Sequence, residues 1–156
     1  MSFDSRAFRN VLGQFASGVT VVTYEVDGEV HGMTVSAFLS VSLDPPLVLA
    51  SIDRRARLHA HLGTMPRFGV SVLAAEQVAV SDRFAGRPGM PDVTFTREEA
   101  VPLVSGALAW MVCEGEQVVE AGDHALYIGR VIALGARDGA PLLYWKGGYR
   151  ELKLPE

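Results

Sequence analysis

One cysteine, Cys113, is all the chain carries, so no intramolecular disulfide can staple it. It sits in the β-like run Leu108-Ala109-Trp110-Met111-Val112-Cys113-Glu114, where a buried small hydrophobe is expected and a nucleophile is not. A long apolar run and a charged-then-apolar leader are missing from both ends, so a soluble, cytoplasmic protein without membrane contact is expected. Positive charge is scarce and scattered: 14 Lys and Arg stand against 18 Asp and Glu, a net charge of -4, which argues against nucleic acid as a partner. No Gly-x-Gly-x-x-Gly follows a strand and no Walker loop occurs, which excludes the two common glycine-rich phosphate cradles. Hydrolysis lacks its nucleophile elbow, and the adjacent Asp123 and His124 cannot readily form a base and its orienting partner. His59 and His61 would diverge on a helix and have no third ligand nearby, so no metal site is expected.

What remains, 156 residues with 49% hydrophobic content, suffices for one domain with a real core, residues 1–156. Asp4 or Ser5 can cap a helix whose apolar positions Phe8, Val11, Leu12 and Phe15 follow helical spacing, with Gly18 placed to end it. From Val19 the pattern turns β-branched, and Asp27-Gly28 makes a tight turn into a strand starting near Glu29. Pro45 and Pro46 deny two backbone donors and keep the chain out of a central ladder, after which residues 47–52 read as a short buried strand. Residues 58–62 suit one or two helical turns, 68–73 a strand and 75–84 a helix. The stretch 85–100, rich in Gly and Pro, reads as the one long loop, suited to a lid or a dimer contact. Residues 107–119, 125–134 and 142–145 complete a strand-rich half. Two or three helices among six or so antiparallel strands, without βαβ alternation, predict an α+β, mostly β chain organised around a barrel.

The most distinctive stretch is 31–52. Thr34, Ser36, Ser40 and Ser42 lie at even spacing, so in an extended chain their hydroxyls share a face while Val35, Ala37, Leu39 and Val41 pack behind. That pattern suits either a half-buried strand pair with a wet side or a surface for a flat, polar-edged ligand. Arg54, Arg55 and Arg57 are too few for a duplex, yet they suit one phosphate or pyrophosphate, or else a solvated turn. His124, after the Gly122-Asp123 turn, opens a strand at a rim from which it could reach a ligand or simply bond Asp123 or backbone.

The order of the residues says more. Gly32-Met33-Thr34-Val35-Ser36-Ala37-Phe38, then Ser40-Val41-Ser42-Leu43-Asp44-Pro45-Pro46-Leu47-Val48-Leu49, is preceded by Phe8-Arg9 and by Gly13 through Thr23. Later come Gly122-Asp123-His124 with Ile128-Gly129-Arg130-Val131, and then Pro141 through Arg150, including Tyr144-Trp145-Lys146-Gly147-Gly148-Tyr149. These four blocks, in this order and over nearly the whole chain, resemble the flavin reductase-like family of small NAD(P)H:flavin oxidoreductases. The resemblance implies a split β-barrel of Greek-key, FMN-binding type, a homodimer with flavin at the subunit interface, and reduced flavin passed to a separate monooxygenase. It implies that Thr34, Val35, Ser36, Ala37 and Phe38, with Ser51, Ile52 and Asp53, contact the flavin ring and ribityl chain. Hydroxyls and free amides can satisfy the ring's polar edges. Arg55 and Arg57 stand where family members commonly carry small hydroxyl residues, so charge holds the phosphate or the longer pyrophosphate of FAD is accepted, leaving FMN or FAD open. Phe84 and Ala85 match a segment that approaches the phosphate or adenylate side. His124 is implied to position the nicotinamide of NADH or NADPH as the catalytic residue, with Tyr149 approaching the same site. Hydride transfer from nicotinamide to flavin requires no general acid or base, in keeping with a candidate set of hydroxyls, amides and one histidine. Two other readings remain: a split-barrel redox or sensory module that binds flavin without using NAD(P)H, and a ligand-carrying barrel without redox function.

Overall fold

The computed structural model describes residues 2–63 and 66–156. Helix α1 (Ser5–Leu12) starts at Asp4, whose carboxylate accepts the Arg6 N–H at 2.9 Å. It ends at Gly13, five residues before the expected stop. The reason is tertiary: the Gly13 carbonyl accepts from Lys146 N–H at 3.1 Å and the Gln14 carbonyl from the Trp145 indole at 3.1 Å, so a distant segment takes the acceptors a longer helix would need. Phe15 therefore leaves the helical face, and no residue of α1 is buried.

The body is β-structure. After the short β1 (Ser17–Gly18) come β2 (Thr20–Val26), β3 (Glu29–Val35), β4 (Phe38–Leu43) and β5 (Pro46–Asp53). Helix α2 (Arg57–Leu62), β6 (Arg67–Val72) and helix α3 (Val78–Phe84) follow, then β7 (Phe95–Glu98), β8 (Val101–Val104), β9 (Ala109–Ala121), β10 (His124–Ala136), β11 (Leu143–Trp145) and β12 (Gly148–Arg150). Seven strands form one antiparallel sheet in the order β3-β2-β6-β9-β10-β5-β4. Its two edge strands, β3 and β4, are separated in sequence only by Ser36 and Ala37. A flat sheet of seven strands would hold its edges roughly 29 Å apart, whereas the link from Val35 to Phe38 reaches at most about 11 Å. The sheet must curl until its edges meet at that corner, which makes a barrel split between β3 and β4.

Burial confirms the curl. Val48, Ala50 and Ile52 of β5, Ala125 and Tyr127 of β10, Phe68 and Val70 of β6, and Val22 and Tyr24 of β2 fill one core inside it. Gly129 is needed there because a Cβ would fall 2.6 Å from the Phe68 ring. Cys113 is fully buried, and burial pushes its thiol up to about 12, so it is the inert small hydrophobe expected. His59 bonds the buried Tyr127 hydroxyl through Nδ1, and the His61 ring lies tilted with its centroid 5.5 Å from that of Tyr24, so both brace α2 against the barrel.

Several expectations need correction. Among the described residues twelve strand segments replace six or so. Leu39, Val41 and Leu43 do not pack behind a hydroxyl face; they are exposed by 52%, 45% and 95%. Leu39 pairs with the outward Leu49, and a bulge at Val41 breaks the alternation after it: Ser40 pairs with Val48 and Ser42 with Leu47, successive residues of β5, so the two hydroxyls face opposite ways. The long loop shrinks, because β7 pairs with β8 across a turn at Glu99 and Ala100 with φ of 48° and 64°. Neither residue announces a left-handed turn as Asn-Gly would. Helix α3 begins at Val78 because residues 74–77 are used otherwise: Ala74 bridges to Pro141, Ala75 N–H donates to Ala140, and Gln77 Oε1 accepts the Ala74 N–H. Among the described residues no helix is long and apolar enough to cross a membrane.

Candidate functional site

Two clefts meet at the split corner. The larger, about 820 Å³, lies on the outer wall of the barrel between Ser36–Leu39 on one side and α1 with the β11–β12 hairpin on the other. The smaller, about 500 Å³, runs from Thr34 and Ser36 across the end of α3 to Tyr149, and the two share Ser36, Tyr144 and Gly147. Both fall in the size range of small-molecule sites. The hairpin forming their common rim turns through Lys146 and Gly147, with φ of 50° and 73°, between the paired Trp145 and Gly148. This is the two-residue turn whose twist suits a tight hairpin.

Strand alternation builds the back wall of the large cleft. Inner residues of β5 are buried, so Leu49, Ser51 and Asp53 face outward. Leu39 pairs with Leu49, and Ser51 pairs with Leu126 while its N–H donates to Ala37 O at 2.9 Å; all five line the cleft. One rung further, about 7 Å along the strands, Asp53 pairs with His124. His124 is thus at the rim of the wall, beyond the lining residues.

At that rim charges are organised in pairs. His124 Nδ1 lies 2.7 Å from Asp123 Oδ1; since a carboxylate only accepts, Nδ1 carries the proton and Nε2 is the free acceptor when the ring is neutral. This hydrogen bond and the histidine's charge hold the Asp123 carboxyl below its ordinary range. Asp53 is held well below the carboxylate range by Arg55, which donates to it through its side chain and its backbone N–H. Arg54 reaches Glu120 at 3.2 Å.

The smaller cleft has a polar floor joined from three elements. The Thr34 hydroxyl donates to Ser81 O at 2.7 Å. The Tyr149 hydroxyl is 2.8 Å from both Ser81 Oγ and Asp82 Oδ1; its one proton goes to the carboxylate and its oxygen accepts from the serine. Burial, the largest influence, raises the Tyr149 phenol above its usual range. Asp82 Oδ2 also holds Arg87 at 2.8 Å, and Arg83 grips the following loop through Met90 O, Pro91 O and Asp92.

Of the residues singled out from sequence, Thr34, Ser36, Ala37, Phe38, Ser51, Ala85 and Tyr149 line one or both clefts. Val35 and Ile52 turn into the barrel and are 3% and 0% exposed, so only their backbone can face a ligand. Phe84 packs with Phe95 and against Gly32, where a Cβ would meet its ring at 2.8 Å. Arg55 is engaged by Asp53, and Arg57 opens α2 close enough for its charge to act on the Tyr24 phenol. Sequence reasoning missed Arg9, Leu126, Tyr144, Trp145 and Lys146 on the large cleft, and Ser81, Asp82 and Arg87 on the small one. Only the Lys146-Gly147-Gly148 turn carried a local signal.

The split antiparallel barrel thus carries an apolar, cation-rimmed slot on its outer wall and a hydroxyl-bearing cleft beside it. The chain belongs to the flavin reductase-like family: the flavin reductase like domain matches residues 12–153. It is 47% identical over 150 residues to an NADH-dependent flavin reductase of Rhodococcus sp, covering 94% of this chain and 85% of that protein. It is 42% identical to the reductase component of the 4-hydroxyphenylacetate 3-monooxygenase of Thermus thermophilus, covering 96% and 97%. The solved structure of the flavin reductase PheA2 in its native state superposes with a TM-score of 0.94 at 42% identity, covering 97% of this chain and 100% of that one.

Proposed function

We infer that the protein is an NAD(P)H-dependent flavin reductase, passing hydride from a nicotinamide to FMN or FAD and supplying reduced flavin to a partner monooxygenase. The observation that carries this reading is the meeting of the two clefts at Ser36, on a wall that ends in the Asp123–His124 pair. The residues present fit a flavin: Leu39, Leu49 and Leu126 offer a flat apolar face, and Ser36, Ser51 and the corner backbone offer polar partners to ring edges and ribityl hydroxyls. Bound flavin supplies the redox chemistry by accepting hydride at its N5. The protein supplies position. The Thr34 hydroxyl already donates its hydrogen bond to the Ser81 carbonyl, so it faces a ligand as an acceptor. His124 Nε2, the free acceptor, suits the amide protons of a nicotinamide carboxamide and holds that ring without transferring a proton. The closed network of Tyr149, Ser81 and Asp82 keeps the neighbouring floor fixed.

The chain acts as a single domain in a cytoplasmic homodimer. Phe8, Val11 and Leu12 on α1, Phe15 after it, and Leu39, Val41 and Leu43 on the edge strand β4 are all exposed apolar side chains, and Leu12, Phe15 and Leu39 among them line the large cleft. A second copy laid over them removes that surface from water and covers the site.

Mixing the protein with NADH and excess FMN and following absorbance at 340 nm tests the activity. Consumption of NADH that depends on flavin supports it. Flavin binding without NADH consumption returns the protein to a redox or sensory role. Light scattering of Val11→Glu tests assembly: a dimeric wild type and a folded, monomeric variant are expected.

A further inference from the structure

The β9–β10 hairpin carries the Asp123–His124 pair at its tip, where the sheet gives it little support. β9 pairs with β6 only as far as Glu114, and the Gly115 N–H donates to Pro66 O at 3.3 Å. From Glu116 to Ala121 the strand partner of β9 among the described residues is β10 alone, so this end of β9 is a free edge. β10 meets β5 for the last time at His124, opposite Asp53. Gly122, with φ of 64°, then turns the chain in a two-residue link between the paired Ala121 and His124, past the end of β5. A tip with so few buried contacts opens locally at low cost unless something else holds it.

Arg54, the residue after β5, holds it. Its backbone N–H donates to Asp123 O at 3.0 Å, its Nη1 donates to Gly122 O at 3.4 Å, and its Nε lies 3.2 Å from Glu120 Oε2. One residue thus reaches from the end of β5 across the turn to β9. Its sequence neighbourhood suggests a phosphate donor, yet in the fold its guanidinium is committed to the hairpin, as that of Arg55 is to Asp53. The side chains of Arg54 and Glu120 are 51% and 62% exposed, and an exposed ion pair adds little to stability. Stability therefore does not account for three contacts converging on one turn.

We propose that Arg54 is a positioning residue for hydride transfer, pinning the β9–β10 turn so that His124 Nε2 stands where the nicotinamide binds. The inference rests on the reading of His124 as the partner of that ring. His124 takes its ring orientation from the Asp123 carboxylate at 2.7 Å, and Asp123 takes its place from the turn that Arg54 holds. A shift of the turn moves the acceptor and its orienting carboxylate together, and a misplacement of about 1 Å costs on the order of a hundredfold in a step governed by alignment. Flavin binding is spared, because Arg54 lines neither cleft.

The test is a double-mutant cycle of Arg54→Gln and His124→Ala. Stopped-flow reduction of the flavin-loaded protein by NADH is read beside equilibrium titrations with FMN and riboflavin and beside the histidine ring resonances of the unliganded protein. Arg54→Gln alone should slow reduction about five- to tenfold, with both flavin affinities within about twofold of wild type. In the His124→Ala background the same substitution should change the rate by less than about twofold, since the residue through which it acts is gone. The His124 ring resonances, assigned by their loss in His124→Ala, should shift in unliganded Arg54→Gln. Unshifted resonances, or an Arg54→Gln rate within about twofold of wild type, overturn the proposal. Equal slowing in both backgrounds also overturns it, because the substitution then loosens the fold at large. So does an FMN affinity lowered with riboflavin unchanged, which returns Arg54 to phosphate. A His124→Ala protein that is reduced at the wild-type rate overturns the reading of the histidine itself, and the positioning role with it.

Discussion

The hydroxyl of Tyr149 and the carboxylate of Asp82, 67 positions apart, meet at 2.8 Å and tie the C-terminal hairpin to the end of α3. Removing the phenolic oxygen with Tyr149→Phe should cost about 1 to 2 kcal/mol of stability, because the half-buried Asp82 loses one of its two donors. Asp82→Asn should cost more, since it also releases Arg87. Urea unfolding of both variants measures the order of the losses. Equal stability of Tyr149→Phe and wild type would mean that the hairpin is held without this bond.

Substitution of His124 should separate the two ligands. Because it stands one rung beyond the residues that line the large cleft, His124→Ala should raise the Michaelis constant for NADH or slow flavin reduction while leaving flavin affinity within about twofold. A change confined to the Michaelis constant means uniform binding, and a fall in turnover means disturbed ring alignment. Stopped-flow reduction beside a flavin titration reads both. A variant impaired only in flavin binding would place this histidine on the other ligand.

Gly32 tests the link between barrel and helix. A methyl group there would lie 2.8 Å from the Phe84 ring, so Gly32→Ala should destabilise by about 1 to 3 kcal/mol through overpacking. It should also weaken flavin binding, because Phe84 belongs to the helix that carries Ser81 and Asp82 to the small cleft. Thermal melts and flavin titration together check the coupling; a loss of stability with untouched affinity would show that α3 yields without moving its functional end.

Cys113 predicts an alkaline limit. Its thiol is raised from 9.0 to about 12 by burial, so the folded state holds its proton more tightly than the unfolded state does. The contribution is fully present below pH 9 and is lost as pH rises toward the folded value, at about 1.4 kcal/mol per pH unit. Urea midpoints at pH 8 and pH 10 should therefore fall less for Cys113→Ala than for wild type. Parallel falls would place the alkaline sensitivity elsewhere.

Local signals explain what could be read from the chain and what could not. The β2–β3 hairpin is legible because alternation and Asp27-Gly28 specify it within the single stretch Thr20 to Val35, and the start of α1 because Asp4 caps it. Its end is not, because the acceptors of Gly13 and Gln14 are taken by residues 131 or more positions away. The strand β1, two residues long, exists only through pairing of Ser17 with Tyr144 and Gly18 with Leu143. Thr34 and Ser36 of the hydroxyl stretch do line the candidate clefts, yet its even spacing misleads: a bend at Ser36 and a bulge at Val41 redistribute faces that strict alternation would align. Leu126, Arg9 and Trp145 reach the cleft by strand order and hairpin docking, which no single segment encodes.

The two-residue link at Ser36 and Ala37 makes the site also a seam. Anything bound across it contacts both margins of the curled sheet, so occupancy and closure are thermodynamically linked: ligand holds the margins together, and parting them expels ligand. A chain lengthened by even a few residues at this corner would slacken the seam and spread the binding groups at once.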